Sequence, residues 1–359
     1  MAQPTLLIDD LCDRALSGEQ LGVRELEALL AADEAGAETM FAAAREARQR
    51  IFGNTVFLYG FIYFSTYCRN ACAFCFYRAD NLESPRYRKS LDEVVAICND
   101  LAGSGVVLLD LTMGEDPLIH NEPGFKGLLD LVSAVQDGSG LPVMVSPGVV
   151  PDDVLAELGA LGADWYALYQ ETHTPELYDT LRVDQPFEER VHARKTARRA
   201  GLLVEDGMLT GIGDTAADRA LAVASMRDAG WEQVRIMTFV PQAGTPLEDV
   251  QPAGDLDELL TIAVLRLAMP EALIPASLDV DGIAGLERRL NAGANVVTSI
   301  VPPTRGLAGV SQSELDIEEG HRTVEGVLPH LERLGMRAGS VDEYRAWLTE
   351  AHARALGHA

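Results

Sequence analysis

Lysine is nearly missing: Lys89, Lys126 and Lys195 are the three in the chain of 359 residues, and the 29 basic residues in all face 55 acidic ones, a formal net charge of -26. A surface so short of positive charge repels phosphate backbones and anionic headgroups, which weighs against nucleic acid or a membrane surface as partner. Long apolar runs are missing too. No stretch reaches the roughly 18 apolar residues of a membrane helix, and the opening MAQPTLLIDDLCDRAL lacks the basic flank and continuous apolar core of a secretion signal. Cysteines are few and odd in number (Cys12, Cys68, Cys72, Cys75, Cys98), with three crowded into eight positions, a poor basis for a disulfide framework. These absences together predict a cytoplasmic protein in a reducing compartment. Repeats, low-complexity tracts and long linkers are also lacking, so one catalytic domain with helical extensions is the economical reading.

What is present is an alternation of short Val-, Ile-, Leu- and Tyr-rich runs with helical stretches, the pattern of parallel β/α units. Eight strands are predicted, at 54–64, 106–113, 142–147, 165–171, 202–212, 234–240, 272–279 and 296–301. Eight closes a TIM-type (β/α)8 barrel. Crossover helices are predicted at 90–103, 152–161, 187–200, 216–229, 255–268 and 281–292, with an N-terminal helical cap over 1–50, the barrel over 51–305 and a helical extension over 306–359. An open doubly wound sheet is the competing architecture, but it normally announces a nucleotide site with a glycine-rich first turn. Here the first strand leads into cysteines. Polar groups at strand ends (Asp110, Glu115, Glu171, Asp214, Ser277, Asp279) suit chemistry at the C-terminal face of a barrel.

The strongest motif is STYCRNACAFCFYRADN, in which Cys68, Cys72 and Cys75 form CxxxCxxC directly after the first strand. Closed structural zinc sites take four ligands, so three thiolates leave a thiophilic centre with one open position. An iron-sulfur cube held this way exposes one iron to a ligand. The competing readings are incidental thiols, or zinc completed by a distant His120 or His173. Cys12 and Cys98 fall on helical faces and read as buried core thiols.

With an aromatic residue, Phe74, just before the last cysteine, this triplet resembles the hallmark of the radical S-adenosylmethionine (SAM) superfamily. The resemblance implies a 4Fe-4S cluster on Cys68, Cys72 and Cys75, with SAM chelating the free iron. It also implies a glycine and acidic segment after the second strand, matched by Met113, Gly114 and Glu115, and a glycine-bearing stretch near adenine, matched by LTGIGD around Ile212. Within the superfamily the text from Phe52 to Pro303 is similar to the branch of biotin synthase, the hydrogenase-maturation enzyme and methylornithine synthase, and reads most like methylornithine synthase. The segments carrying that likeness include LDLTMGEDP, LRVDQPFEERVHARK, VEDGMLTGIGD, IPASLDVDGI and RLNAGANVVTSIVPP. Carried over residue by residue, the likeness gives Glu171 the SAM ribose, Arg190 the SAM carboxylate, and Phe74, Met113, Gly114, Glu115 and Ile212 further cofactor contacts.

Asp110, Arg235, Ser277 and Asp279 interrupt otherwise apolar strands, and an unpaired charge inside a barrel costs several kcal/mol. They either form an internal ion-pair network or hold a ligand, with Arg235 on an amino-acid carboxylate, Asp110 and Asp279 on ammonium groups and Ser277 adding a hydrogen bond. The family likeness implies L-lysine as substrate, rearranged to (3R)-3-methyl-D-ornithine for pyrrolysine biosynthesis by way of a 5'-deoxyadenosyl radical, with no protein acid or base required. It further implies an external one-electron reductant such as flavodoxin or ferredoxin. Two alternatives remain: a related radical SAM enzyme acting on another small amino acid or in metallocofactor assembly, and a non-enzymatic iron-sulfur protein.

Overall fold

A computed structural model describes residues 7–311, 317 and 321–357. In chain order the elements are α1 (Ile8–Leu16), α2 (Val23–Leu30), α3 (Glu34–Phe52), β1 (Thr55–Ser65), α4 (Leu91–Ser104), β2 (Leu108–Met113), α5 (Pro117–His120), α6 (Lys126–Ser139), β3 (Val143–Ser146), α7 (Asp152–Ala160) and β4 (Trp165–Ala167). There follow α8 (Pro175–Leu181), α9 (Phe187–Arg199), β5 (Leu203–Thr210), α10 (Ala216–Ala229), β6 (Gln233–Thr238), α11 (Leu256–Ala268), β7 (Pro275–Ser277), α12 (Leu286–Asn291), β8 (Val296–Ile300), α13 (Val324–Arg333), β9 (Arg337–Ala338) and α14 (Val341–Leu356). Strands β1 to β8 all pair in parallel in the order β6-β5-β4-β3-β2-β1-β8-β7. A bridge between Gln233 and Leu273, with Val234 N–H donating to Leu273 O at 3.0 Å, joins the two ends. The result is the nearly closed TIM-type barrel that the eight-strand pattern predicts.

The period of two along β1 explains how one strand serves two cores. Phe57, Tyr59, Phe61 and Tyr63 fill the barrel interior, while Val56, Leu58, Ile62 and Phe64 pack outward under the helices. Gly60 lets α4 come close, since a Cβ there would lie 2.9 Å from Leu101 Cδ1. Capping boxes start α4 (Ser90 with Glu93), α10 (Thr215 with Asp218) and α14 (Ser340 with Glu343).

The N-terminal helices α1, α2 and α3 pack on the outer helices α10 and α11, burying Leu11, Leu26, Leu29 and Met40, and Arg48 of α3 reaches the Ala294 carbonyl just before β8 at 3.0 Å. Several expectations need correction. The tail is not simply helical: β9 pairs with the start of β1, Thr55 opposite Arg337, and part of the predicted stretch lies outside the described residues. The regular part of β4 stops at Ala167, because the Asp206 carboxylate takes the Gln170 N–H at 2.9 Å and Glu171 turns to a φ of +68°. The predicted helix at 281–292 splits into a 3-10 turn, Gly282–Gly285, and α12. Helix α6, between β2 and β3, has no counterpart in the sequence reading.

The last helix closes the floor. Tyr344 and Leu348 of α14 enter the N-terminal end of the barrel against Phe57, Tyr59, Leu108 and Trp165, and Trp347 stacks on Trp165 at 5.8 Å. The C-terminal end stays available for polar groups.

Candidate active site

The cysteine loop follows β1 and is held in shape by arginines. Arg86 donates to the carbonyls of Thr66, Tyr77 and Arg78, and Arg88 grips the buried Asp116 carboxylate through Nε (2.6 Å) and Nη2 (2.8 Å) while stacking on Tyr67. Both are structural staples of the loop. Gly114 presses against it from the end of β2: a Cβ at that position would stand 2.3 Å from Tyr67 O and 3.0 Å from Cys68 Cβ. The three thiols lie close enough to act on one another electrostatically, and burial pushes Cys68 up to about 11 and Cys75 well above the ordinary thiol range. An electrophilic metal reverses that preference and takes thiolates.

Beside the loop stands a ring of acids and arginines. Glu115 is buried; burial would raise its carboxyl, but the Val149 N–H at 3.1 Å and the charges of Arg190, His120 and Arg69 hold it below the usual range. Glu171 sits at the positive φ just noted and pairs with Arg182 at 2.5 Å. Arg190 gives its Nε to Tyr169 O at 2.9 Å, and burial, then the neighbouring Arg182, lowers it to about 10. Ile212 is buried with Leu181, Leu209 and Phe239 in an apolar patch that Phe74 borders, while Met113 belongs to the main core.

Inside the barrel a polar layer rests on the apolar floor. Arg235 and Glu205 pair Nε to Oε1 at 2.8 Å, Tyr169 donates its hydroxyl to the other oxygen of Glu205 at 3.0 Å, and Arg235 Nη2 is buried without a partner. Asp110 accepts from Thr112 Oγ1 at 2.9 Å, and burial together with the Glu205 charge, against the pull of Arg235, pushes it up to about 7. Asp279 is paired with Arg322 at 2.9 Å and accepts from Ser299 Oγ (3.1 Å) and the Val310 N–H (3.2 Å). Ser277 Oγ accepts the Asp279 N–H at 3.2 Å. The structure thus brings Asp110 and Arg235 together and gives Arg235 and Asp279 protein partners that sequence reasoning missed, Glu205 and Arg322. Glu205 carried a readable signal: Leu203, Glu205, Gly207 and Leu209 share one face of β5, and an acid on a buried face is as conspicuous as Arg235.

The remaining conspicuous residues are structural. Asp214 takes the N–H groups of Gly211 (2.7 Å) and Ile212 (3.2 Å), shaping the turn after β5. His173 meets Asp206, His192 meets Asp152 on the surface, and His120 bonds Pro147 O. Cys12 and Cys98 are buried on α1 and α4. Among the described residues no helix is long and apolar enough to cross a membrane.

The donor set suits an iron-sulfur cluster with a chelating cofactor. Three soft sulfurs leave an open position, Gly114 lets the loop seat directly on the end of β2 with no side chain between, and the buried Glu115, Glu171, Arg182 and Arg190 stand beside the loop.

Comparison with known proteins agrees. Residues 62–225 match the radical SAM superfamily model. The chain is 45% identical over 341 residues to 3-methylornithine synthase of Methanosarcina barkeri (strain Fusaro), covering 95% of this chain and 97% of that one. It is 29% identical over 319 residues to the FeFe hydrogenase maturase subunit HydE of Thermotoga maritima, covering 87% and 90% of the two chains. A crystal structure of methylornithine synthase (PylB) superposes with a TM-score of 0.88 at 44% identity, covering 94% of this chain and 99% of that one. The cysteine triplet at the mouth of a nearly closed barrel and this extent of likeness have one explanation: the chain belongs to the radical SAM superfamily and, within it, to the methylornithine synthase family.

Proposed function

We propose that this chain rearranges L-lysine to (3R)-3-methyl-D-ornithine, an isomerisation in which the diamino acid keeps all its atoms. The observation that carries the substrate class is the charge of the polar layer. Among the described residues, Asp110, Glu205 and Asp279 stand against Arg235 and Arg322, leaving one negative charge when all are ionised. Lysine at neutral pH carries one positive charge and so matches the layer with all its acids ionised, whereas a neutral amino acid is matched only while the Asp110 carboxyl, pushed up to about 7, keeps its proton.

Each residue has a task that its position supports. Cys68, Cys72 and Cys75 hold a 4Fe-4S cluster, Glu171 accepts the ribose hydroxyls of SAM, Arg190 and the Glu115 segment hold its methionine end, and Phe74 and Ile212 border its adenine. When bound and reduced by an external one-electron donor, that pair supplies the carbon radical that removes hydrogen from an unactivated position. The protein orients and seals. Arg235 presents its unpartnered Nη2 to the substrate carboxylate, Asp110 and Asp279 receive the ammonium groups with Ser277 beside them, and the apolar α14 floor keeps water out and small fragments in. The barrel from 51 to 305 carries these groups, and the segments on either side brace it.

Anaerobic reconstitution with iron and sulfide, then incubation with SAM, dithionite and side-chain-deuterated lysine, tests the reading. Methylornithine separated from its isomer lysine by chromatography, with deuterium passing through deoxyadenosine, supports it. Cleavage of SAM with another amino acid but none with lysine would instead assign a retuned pocket, and an absent iron-sulfur absorption would leave a protein that is not a radical enzyme.

A further inference from the structure

Arg182 touches both halves of the cofactor site. It ends α8, where the backbone is tied to the cysteine loop by Ala73 N–H donating to Leu181 O at 2.8 Å. From there its Nη1 lies 3.6 Å from Cys72 Sγ, its Nη2 lies 2.5 Å from Glu171 Oε1, and its guanidinium stands 5.2 Å from the Phe74 ring centre. Gln185 adds a second side-chain donor to the same sulfur, Nε2 to Sγ at 3.1 Å. The other two sulfurs meet backbone amides, those of Asn70 and Glu115 at Cys68 and Tyr77 at Cys75. One sulfur of the three therefore carries a buried cation and a neutral amide together.

We propose that Arg182, assisted by Gln185, is a positioning residue that sets the reduction potential of the metal centre by stabilising its reduced state through Cys72. The inference rests on the cofactor reading above. A one-electron reduction adds negative charge to the cluster and its thiolates; a cation and N–H donors at a ligand sulfur favour that state, and in a buried site water screens them little. No bond is made or broken, and the electron comes from the external donor already invoked. Glu171 keeps the guanidinium in place and offsets part of its desolvation cost. Neither residue needs to touch the substrate.

The test is an EPR-monitored redox titration of the reconstituted full-length protein, with iron content measured on each sample. Arg182→Met is expected to show about a tenfold lower ratio of reduced to oxidised cluster at a fixed poise, which is about 59 mV for one electron. Arg182→Lys should recover most of the loss because it keeps the charge, and Gln185→Leu should fall by about threefold, the smaller effect of a neutral donor. Equal ratios in the parent and Arg182→Met at equal iron content would overturn the proposal. Should Arg182→Met lose its iron, Gln185→Leu decides: a parental ratio overturns the proposal and a fall supports it. A parent protein with no reducible iron-sulfur signal would overturn the cofactor reading instead, so the two failures are distinguishable.

Discussion

The hydroxyls of Tyr59 and Tyr344 lie 2.8 Å apart, joining the first barrel strand to the last helix of the chain. Tyr59 also donates to Gln233 Oε1 at 3.1 Å, so the floor beneath the polar layer is tied to β6 as well. Tyr344→Ala removes a fully buried aromatic and should cost about 3–5 kcal/mol, whereas Tyr344→Phe removes one hydroxyl and should cost about 1 kcal/mol. Denaturant unfolding of the two variants measures the difference. Similar losses in both would show that the hydroxyl contact, and not the ring, closes the floor.

Glu205→Ala strips Arg235 of its carboxylate partner in the barrel interior. Breaking a buried pair from one side costs about 3–5 kcal/mol. Lysine binding, followed calorimetrically in the SAM-loaded protein, should weaken as Arg235 loses its fixed direction. Full retention of lysine affinity would show that Arg235 is held by something other than Glu205.

Asp110 gives a pH dependence with a definite sign. Its carboxyl is pushed up to about 7 from an ordinary value of 3.8, chiefly by burial. A raised folded value contributes stability that is complete below the unfolded value and is lost as pH rises through the folded one. Without substrate, the parent should therefore lose stability between about pH 4 and 7 relative to Asp110→Asn, by at most roughly 4 kcal/mol. Lysine affinity should change the other way, rising through pH 7 as the carboxylate forms and showing no such rise in Asp110→Asn. Parallel stability curves for the two proteins over this range would remove Asp110 as the titrating group.

Gly114→Ala tests the cradle of the cysteine loop. The new methyl would overlap Tyr67 O, a backbone atom that cannot swing aside, so the loop must shift. Overpacking of this kind costs about 1–3 kcal/mol. Iron bound per chain after reconstitution should fall well below parent while the far-ultraviolet spectrum stays the same. Parental iron loading would show that the loop can move away at no cost to the site.

Much of this was readable in one dimension. Strand runs with a period of two and helices capped by Ser90, Thr215 and Ser340 follow from local chemistry, and so does a barrel once eight such units are counted. CxxxCxxC is equally local: three ligands within eight residues need only one loop. Where local signals competed, reading failed. The apolar pattern predicts no helix where α6 lies, and the regular part of β4 is shorter than its apolar run because its end is set by the Asp206 carboxylate, 36 residues further along the chain from Gln170.

Partnership was the part that spacing could not supply. Arg235 and Asp279 could be recognised as buried charges, but Glu205 is 30 residues from the first and Arg322 is 43 from the second. Arg322 stands in a stretch read only as helical tail, and Arg182 stands in a charged segment with no sign of the sulfur it meets. Burial and period are properties of neighbours in sequence, so the chain alone settles which residues must be inside and which thiols act together. Which charge answers which depends on barrel closure, since that closure excludes the water that would otherwise screen every pair.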